Sequence, residues 1–423
     1  MTVRSLAGVA CPPSRARGER QDALAYVPGS SLRGALAASY LQIGAAGDEA
    51  FRQLADACHF GNLYPAGSGG LQSRPVPLTA VTCGRMPGFR AGGGHGVTDT
   101  LLPREAAALS GEPPAPVEPS AEGAAPSAGP DSAERRQSVA RGWESLVHCA
   151  RCDTERQRPG TSRLVSADGF AQWLPDGPNA TPVSFDAVYG GAISAAPRAV
   201  GAGSYFQRCL AEGQRFTSSV ICADEEAAAL VSERLAPPGA ILSLGSGRSR
   251  GLGTVNVEEW RLEVASDSLT VRQEGLTEAL ASWRRQLELP APQHRYFSVT
   301  LLSPAILRDP FGRFRVWLDG QGAASVWGLP AGSMEIRQQL VRTGPVEGWN
   351  AGLGLPKADA LALQAGSCWL VRTSAPDGEL PLAALEELEA QGLGERRQEG
   401  FGAVRVCDPI HWRLRELEQD QPL

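Results

Sequence analysis

Lysine is almost missing from this chain: of its 40 basic residues only Lys357 is a lysine, and the rest are arginine. Arginine forks onto phosphate and stacks on planar groups, which lysine does poorly. A GC-rich genome is the blander source of the same bias. No run approaches the ~20 apolar residues of a membrane span. The leading residues, MTVRSLAGVACPPSRARGERQD, hold no apolar stretch of an export signal. The expectation is a cytoplasmic protein without a membrane. Histidines number five, so general bases are few. The one G-x-S-x-G spacing, Gly247-Arg248-Ser249-Arg250-Gly251, follows a helix and leads into a strand, so it is no nucleophile elbow, and no H-E-x-x-H pair occurs. With 46 acidic side chains and a net charge of -6, the chain is no uniformly basic nucleic-acid coat, although a local basic groove stays open. Nine cysteines, an odd number and unevenly spread, read as reduced thiols or metal ligands, not a disulfide framework.

The 423 residues, 42% of them hydrophobic, suffice for two or three domains of roughly 100–200 residues each. From Pro103 to about Arg141 the chain is rich in Pro, Ala, Gly, Ser and Glu and nearly free of large apolar residues. Such a stretch buries too little surface to offset its ordering entropy, so a disordered insertion is expected over 103–141. A second boundary falls near Leu289-Pro290-Ala291-Pro292, between an amphipathic helix (Leu276 to Leu289) and a strand (Arg295 to Leu302). The expected domains are 1–290 and 291–423.

The two parts follow one plan: a β-rich body, a helix, a glycine-rich turn, then a strand. In the first these are Glu225 to Leu235, Leu244 to Gly253 and Thr254 to Val264. In the second they are Pro381 to Gln391, Gly392 to Gly402 and Ala403 to Asp408. Interleaved short strands and helices predict an α+β class, with ferredoxin-like βαββαβ units.

Four segments carry chemistry. In AYVPGSSLRGALAASYL (Ala25 to Leu41), Ser30 or Ser31 is placed to cap a helix whose apolar positions are Leu32, Leu36 and Tyr40. Gly29 and the free amides there would admit a phosphate, and Arg33 in the first turn would welcome one. An ordinary capped helix with a solvated arginine fits the same residues. The turn Gly245-Ser246-Gly247-Arg248-Ser249-Arg250-Gly251-Leu252-Gly253 offers backbone amides, two guanidinium groups and two hydroxyls, a set suited to polyanions. It is neither a P-loop nor a Rossmann fingerprint, so no nucleotide cofactor is expected. A flexible surface hairpin is the alternative. In the third segment, the later turn, Arg396 and Arg397 are balanced by Glu395 and Glu399, which suits a structural role.

The fourth is a metal site. Cys149-Ala150-Arg151-Cys152 is a C-x-x-C knuckle, the spacing by which two thiolates chelate zinc. Cys83 and His95 precede the insertion and the knuckle follows it, so structural zinc on Cys83, His95, Cys149 and Cys152 would close a long loop. His148 is an alternative fourth ligand. Unliganded thiols or a redox pair remain the other readings. Cys11, Cys58, Cys209, Cys222, Cys368 and Cys407 are read as packing residues. Candidate catalytic groups are sparse: Asp22 and Asp309 in loops, and His59 among apolar neighbours.

These segments resemble a known pattern. YVPGSSLRGAL followed by a helix looks like the signature of CRISPR-associated RAMP proteins, and LGSGRSRGLG is similar to their glycine-rich RNA-binding loop. FGNLYP, PVPLTAVTCGRMPGF, YFQRCLAEGQRFTSSVI, YFSVTLLSPAILRDPFGRF and GWNAGLGLPK resemble, in order, the large RAMP subunit of type III-D CRISPR effectors, the Csx-ten family. The resemblance implies tandem ferredoxin-like (RRM-like) domains. It implies a subunit that grips the five-prime handle of the guide RNA (crRNA) beside a polymerase-type large subunit and backbone RAMP subunits, in antiviral defence. Gly29, Ser30, Ser31 and Arg33 would belong to the first RNA-contacting element, and Gly245 through Gly253 to the second. Family members begin with an apolar strand. Here the expectation is either that Val3 to Val9 is a degenerate first strand or that the start lies too late; without that strand an edge of the first sheet is left unpaired. Two alternatives stay open: a RAMP endoribonuclease acting on guide or target RNA, and a protein-interaction scaffold with little RNA contact.

Overall fold

The structure, a computed structural model, describes residues 1–13, 20–42, 57–67, 72–108, 149, 151–152, 164–166, 169–174, 177–181, 184–191, 204–262, 268–350, 353–375 and 378–414. Most of the expected insertion, and His148, lie outside these residues. The elements that matter begin with β1 (Thr2–Ser5), α1 (Gly29–Gln42), β2 (Cys58–Phe60), β3 (Tyr64–Pro65), β4 (Ala80–Cys83), β5 (Val97–Asp99), α2 (Leu101–Ala108) and β6 (Leu164–Ser166). There follow β7 (Arg215–Thr217), β8 (Val220–Cys222), α3 (Glu225–Ala229, continued by a π turn Leu230–Leu235), β9 (Ile241–Ser243), β10 (Thr254–Glu259) and α4 (Leu269–Gln286). The last are β11 (Tyr296–Leu301), α5 (Gly320–Trp327), β12 (Met334–Leu340), β13 (Cys368–Thr373), α6 (Leu382–Gln391) and β14 (Val404–Val406).

Two antiparallel sheets share one topology. The first runs β10-β1-β7-β3, with β9 added outside β10, and the second runs β14-β11-β13-β12. Each is the order fourth, first, third, second of a ferredoxin-like βαββαβ unit. The helices are α1 and α3 in the first unit, α5 and α6 in the second. The short N-terminal lead therefore supplies a central strand of its sheet, as the first of the two alternatives had it, and the unpaired edge does not arise. Val3 is fully buried and Arg4 exposed, the alternation of a strand with one face on the core.

Local signals set the helices. Asp224 caps α3 by accepting from the Ala227 amide, and Asp319 caps α5 by accepting from Gly322. The Ser268 hydroxyl accepts from Val271 and starts α4 earlier than its apolar pattern suggests, while Arg284 and Arg285 suit its last turn. Two cores result. Val3, Leu32, Leu36, Phe216, Val255 and Val257 anchor the first. Phe297, Val299, Trp327, Trp369, Val371 and Val406 anchor the second, with Trp327 edge-on to Trp369 at 5.9 Å. Helix α4, ahead of the boundary expected near 290, packs Leu276 and Leu280 into the second core.

Pro103 to Ala108, expected to open the disordered insertion, are helical. Asp99 accepts from the Leu101 amide at 2.8 Å and starts α2. Pro103 sits in the first turn, where its missing N–H is not needed. Leu101, Leu102 and Ala106 are buried against the second core, and Glu105 is buried beside them. Its carboxylate accepts from Tyr296 Oη, Arg337 Nε and Gln338 Nε2. A segment interrupting the first unit thus seals the second sheet, whose central strand β11 is buried along its whole length.

Candidate nucleic-acid interface and metal centre

The first motif meets two others. Gly29 donates its amide to Asn62 Oδ1 at 2.9 Å. A Cβ on Gly29 would lie 2.0 Å from the Phe60 carbonyl oxygen and 2.9 Å from that of Glu399. Gly400, at φ 90°, would press a Cβ to 2.7 Å from Asn62 Oδ1. The two glycines are needed because three backbones cross there. The Gly29 amide is therefore occupied inside the protein, and its expected role as a phosphate cradle gives way to packing. Ser30, Ser31 and Arg33 are half-buried. Arg33 Nε is buried without a hydrogen-bond partner among the described residues. Sequence reasoning missed Asn62; its position in FGNLYP, one of the resembling segments, was the available signal.

The two glycine-rich turns are twins in backbone. Leu244 and Leu393 donate their amides to Gly253 and Gly402, Ser246 and Glu395 to Ala10 and Ile306, and Gly253 and Gly402 to Gly8 and Pro304. Each closes with a short 3-10 turn, Arg248–Arg250 or Arg397–Glu399. That turn is flanked by left-handed residues: Gly247 (φ 81°) and Gly251 (φ 79°) in one, Arg396 (φ 58°) and Gly400 (φ 90°) in the other.

Their surroundings differ. The later turn is docked on α1 and β2. Its Glu399 is largely buried and takes Lys357 Nζ at 2.6 Å and Arg396 Nη2 at 2.6 Å. Burial would raise the Glu399 carboxyl, but the two cations outweigh it and hold it below the ordinary carboxylate value. The lone lysine of the chain is thus part of an internal ion cluster. The earlier turn is exposed from Arg248 to Gly251. Arg250 Nη2 donates to the buried Gln207 Oε1 at 3.0 Å. The Arg248 guanidinium and the amides of Gly247, Arg248 and Ser249 find no acceptor among the described residues. Ser246 donates to the Ala10 carbonyl, and Ser249 stays exposed. Successive outward amides beside a left-handed residue form an anion-binding concavity. No hydrogen bond or ion pair among the described residues joins this turn to the first turn of α1.

The candidate catalytic groups are engaged otherwise or apart. The Asp309 carboxylate accepts from the amides of Phe311 and Arg313 and pairs with Arg313 Nε at 2.7 Å, an Asx-type turn that holds it below its ordinary value against the effect of burial. His59 lies on β2, pushed below its ordinary value by burial and by the Arg397 guanidinium. Asp22 is exposed, ahead of α1.

The metal candidates come together. The β4–β5 hairpin, registered Thr82 to Val97, brings Cys83 and His95 to one end. The amides of Arg85 and Met86 both donate to Cys83 Sγ at 3.4 Å. Ligand atoms of Cys83, His95, Cys149 and Cys152 all lie within 4.8 Å of one another, and the three cysteines are buried. Cys83 Sγ is 3.6 Å from Cys152 Sγ. His95 Nδ1 is 3.4 Å from Cys149 Sγ and 3.3 Å from Cys152 Sγ. Tetrahedral zinc with bonds near 2.3 Å to sulfur and 2.0–2.1 Å to nitrogen separates its ligands by about 3.5–3.8 Å, so this donor set can hold such an ion. Burial pushes the Cys149 thiol up to about 11. Burial also raises Cys83, but the amides and neighbouring thiols outweigh it and its net shift is downward.

No family model matches the chain, and no curated protein matches it. Among solved structures, a chain of the type III-B Cmr-beta complex bound to cognate target RNA and AMPPnP aligns with 96% of this chain and 98% of its own. The identity is 11% and the TM-score 0.39. A Cas6 product complex aligns with 52% of this chain and 81% of its own, at 16% identity and a TM-score of 0.30. Thermus thermophilus Cas6 aligns with 48% and 75%, at 13% and 0.25. The topology described above stands on its own hydrogen bonds, apart from these similarities. No helix among the described residues is long and apolar enough to cross a membrane.

Proposed function

We propose that the chain is an RNA-binding RAMP subunit of a type III-D CRISPR effector. In this reading it holds the five-prime handle of the guide RNA through the Gly245–Gly253 turn, beside a polymerase-type large subunit and backbone RAMP subunits. The observation that carries it is the contrast between the twin turns. The later one is neutralised and docked inside the protein. The earlier one keeps the same backbone, but is exposed from Arg248 to Gly251, and the Arg248 guanidinium and three amides find no partner among the described residues. Guanidinium groups, hydroxyls and backbone amides are the donors that phosphate oxygens take, and this turn carries all three. The half-buried Arg33, with its unsatisfied Nε, is a second element for the same strand. Zinc on Cys83, His95, Cys149 and Cys152 would be structural, tying the ends of the insertion to the β4–β5 hairpin.

A filter-binding titration with repeat-derived RNA at several salt concentrations tests the reading. Replacing Arg248 and Arg250 with alanine should weaken binding and flatten the salt dependence by a log–log slope of roughly 0.7 per lost phosphate contact on a single strand. A double variant with unchanged affinity and slope refutes the assignment. Crosslinks to RNA that avoid Gly245–Gly253 while protein crosslinks map there would favour a scaffold. Cleavage of the RNA abolished at Asp22, Asp309 or His59 would favour a ribonuclease.

A further inference from the structure

We propose that Cys58 and Cys222 form a reversible disulfide between β2 and β8, made with a small peroxide as oxidant and undone by a dithiol. Their sequence positions mark both as packing residues; their register does not. In the antiparallel β2–β8 ladder Cys58 stands directly opposite Cys222, His59 opposite Ile221 and Phe60 opposite Val220. Gly61 donates to the Ser219 carbonyl at 2.9 Å, and Ala223 to that of Ala57 at 2.8 Å. Hydrogen-bonded and non-hydrogen-bonded pairs alternate along such a ladder. Counting inward from both ends makes Cys58–Cys222 a non-hydrogen-bonded pair. There the Cα atoms approach to about 4.5 Å and side chains come closest, inside the range a disulfide spans. The sulfur atoms are 3.3 Å apart. A bond near 2.05 Å needs them to close by roughly 1.2 Å, a movement that side-chain rotation supplies.

The pair is asymmetric in the way an oxidisable dithiol needs. Cys58 is fully buried, whereas Cys222 is half-exposed beside Ile221, itself 52% exposed. The Cys58 thiol donates toward Cys222 Sγ and holds that thiol below its ordinary value, while Cys58 is pushed up by the same contact and by burial. Outside the Cys83, Cys149 and Cys152 cluster the other thiols lack this arrangement: Cys11 and Cys407 are buried and pushed up to about 12. Cys222 is therefore the sulfur that meets the oxidant. Its thiolate attacks one oxygen of hydrogen peroxide, the O–O bond breaks, and a sulfenic acid forms as hydroxide takes up a proton and leaves as water. The Cys58 sulfur then attacks Cys222, the S–O bond breaks, and a second water leaves. Two thiols and one peroxide become one disulfide and two waters; the sulfurs lose two electrons and the peroxide oxygens gain them. The bond would close the chain from 58 to 222, which includes the metal cluster. It would also lock the ladder on which Gly29 and Gly400 rest.

The full-length, zinc-loaded chain is exposed to one equivalent of hydrogen peroxide, quenched with an alkylating reagent and digested for mass spectrometry. A peptide pair joining Cys58 to Cys222, lighter by two hydrogens and abolished by dithiothreitol, should accumulate before any other crosslink. In C58S the sulfenic acid on Cys222 should persist and be trapped by dimedone, and C222S should form no crosslink. The proposal is overturned if the unaltered chain carries Cys222 on to a sulfinic acid with Cys58 still a thiol. It is equally overturned if both thiols alkylate freely after treatment that has oxidised the metal-site cysteines. The deciding measurement uses the unaltered chain, so it does not depend on how well the variants fold.

Discussion

Removing one thiol from the metal cluster tests the geometry most directly. Cys83 and Cys152 are 69 positions apart. Cross-linking a loop of that size removes unfolded-chain entropy worth about 4 kcal/mol in the chain-entropy picture. A coordinated ion acts as such a crosslink. Its loss also leaves buried thiols 3.6 Å apart with no charge to organise them. In a unit of 150–250 residues 1 kcal/mol moves the melting midpoint by about 2–4 °C, so losing the ion should cost on the order of 10 °C. The unaltered chain is expected to hold one zinc by elemental analysis, and C149S well below one. Calorimetry with and without chelator should show the drop in the unaltered chain and none in C149S, which has little zinc to lose. Because Cys149 without metal is held protonated up to about 11, zinc loading near neutral pH should release protons into weakly buffered solution. Zinc far below one per chain, unchanged by C149S, with a midpoint indifferent to chelator, would refute the tetrahedral site.

Arg248 and Arg250 should separate: R248A is expected to take most of the change in salt slope, since Arg250 is already tied to Gln207, and equal effects in filter binding would contradict this. Gly29→Ala should destabilise by about 3 kcal/mol because its Cβ would meet backbone at 2.0 Å and 2.9 Å. Gly34→Ala in the same helix, with nothing within 4 Å, should stabilise by about 0.5–1 kcal/mol; denaturant titration of the two variants decides. His411 is held above its ordinary 6.5, burial opposing and the buried Asp99 carboxylate at 3.1 Å prevailing. Its contribution is fully present below 6.5 and lost as pH rises through the folded value. Amide exchange in β5 and the C-terminal helical turn at 410–414 should therefore gain relative rate on the alkaline side in the unaltered chain, and an identical pH profile in His411→Gln would exclude the pair as the cause.

Much of the plan was legible before any coordinates. The two glycine turns, read as repeats, prove to share their hydrogen bonds pair by pair. The four candidate metal ligands converge as their positions around the insertion suggested. Each had a short-range cue: a left-handed turn favours glycine, and a C-x-x-C spacing presents two thiols together. What was misread had a physical cause each time. The stretch from Pro103 looked too poor in apolar residues to fold, yet Leu101 and Leu102 at the start of α2 and the Asp99 cap were enough once a second sheet lay beneath. The N-terminal lead looked degenerate as a strand because it is short and basic, but β10 and β7 flank it on both sides.

The amino-acid order alone determined where caps such as Asp224 and Asp319 stand, where glycine lets the backbone turn through positive φ, and that Cys149 and Cys152 are presented together, because these depend on residues within a few positions of one another. Only the tertiary structure decided which of two alike turns is covered and which faces out, that Asn62 rather than a phosphate receives the Gly29 amide, and that Cys58 faces Cys222. Those outcomes depend on register between segments more than 30 and up to 370 positions apart, and no local propensity encodes which of many distant partners will arrive.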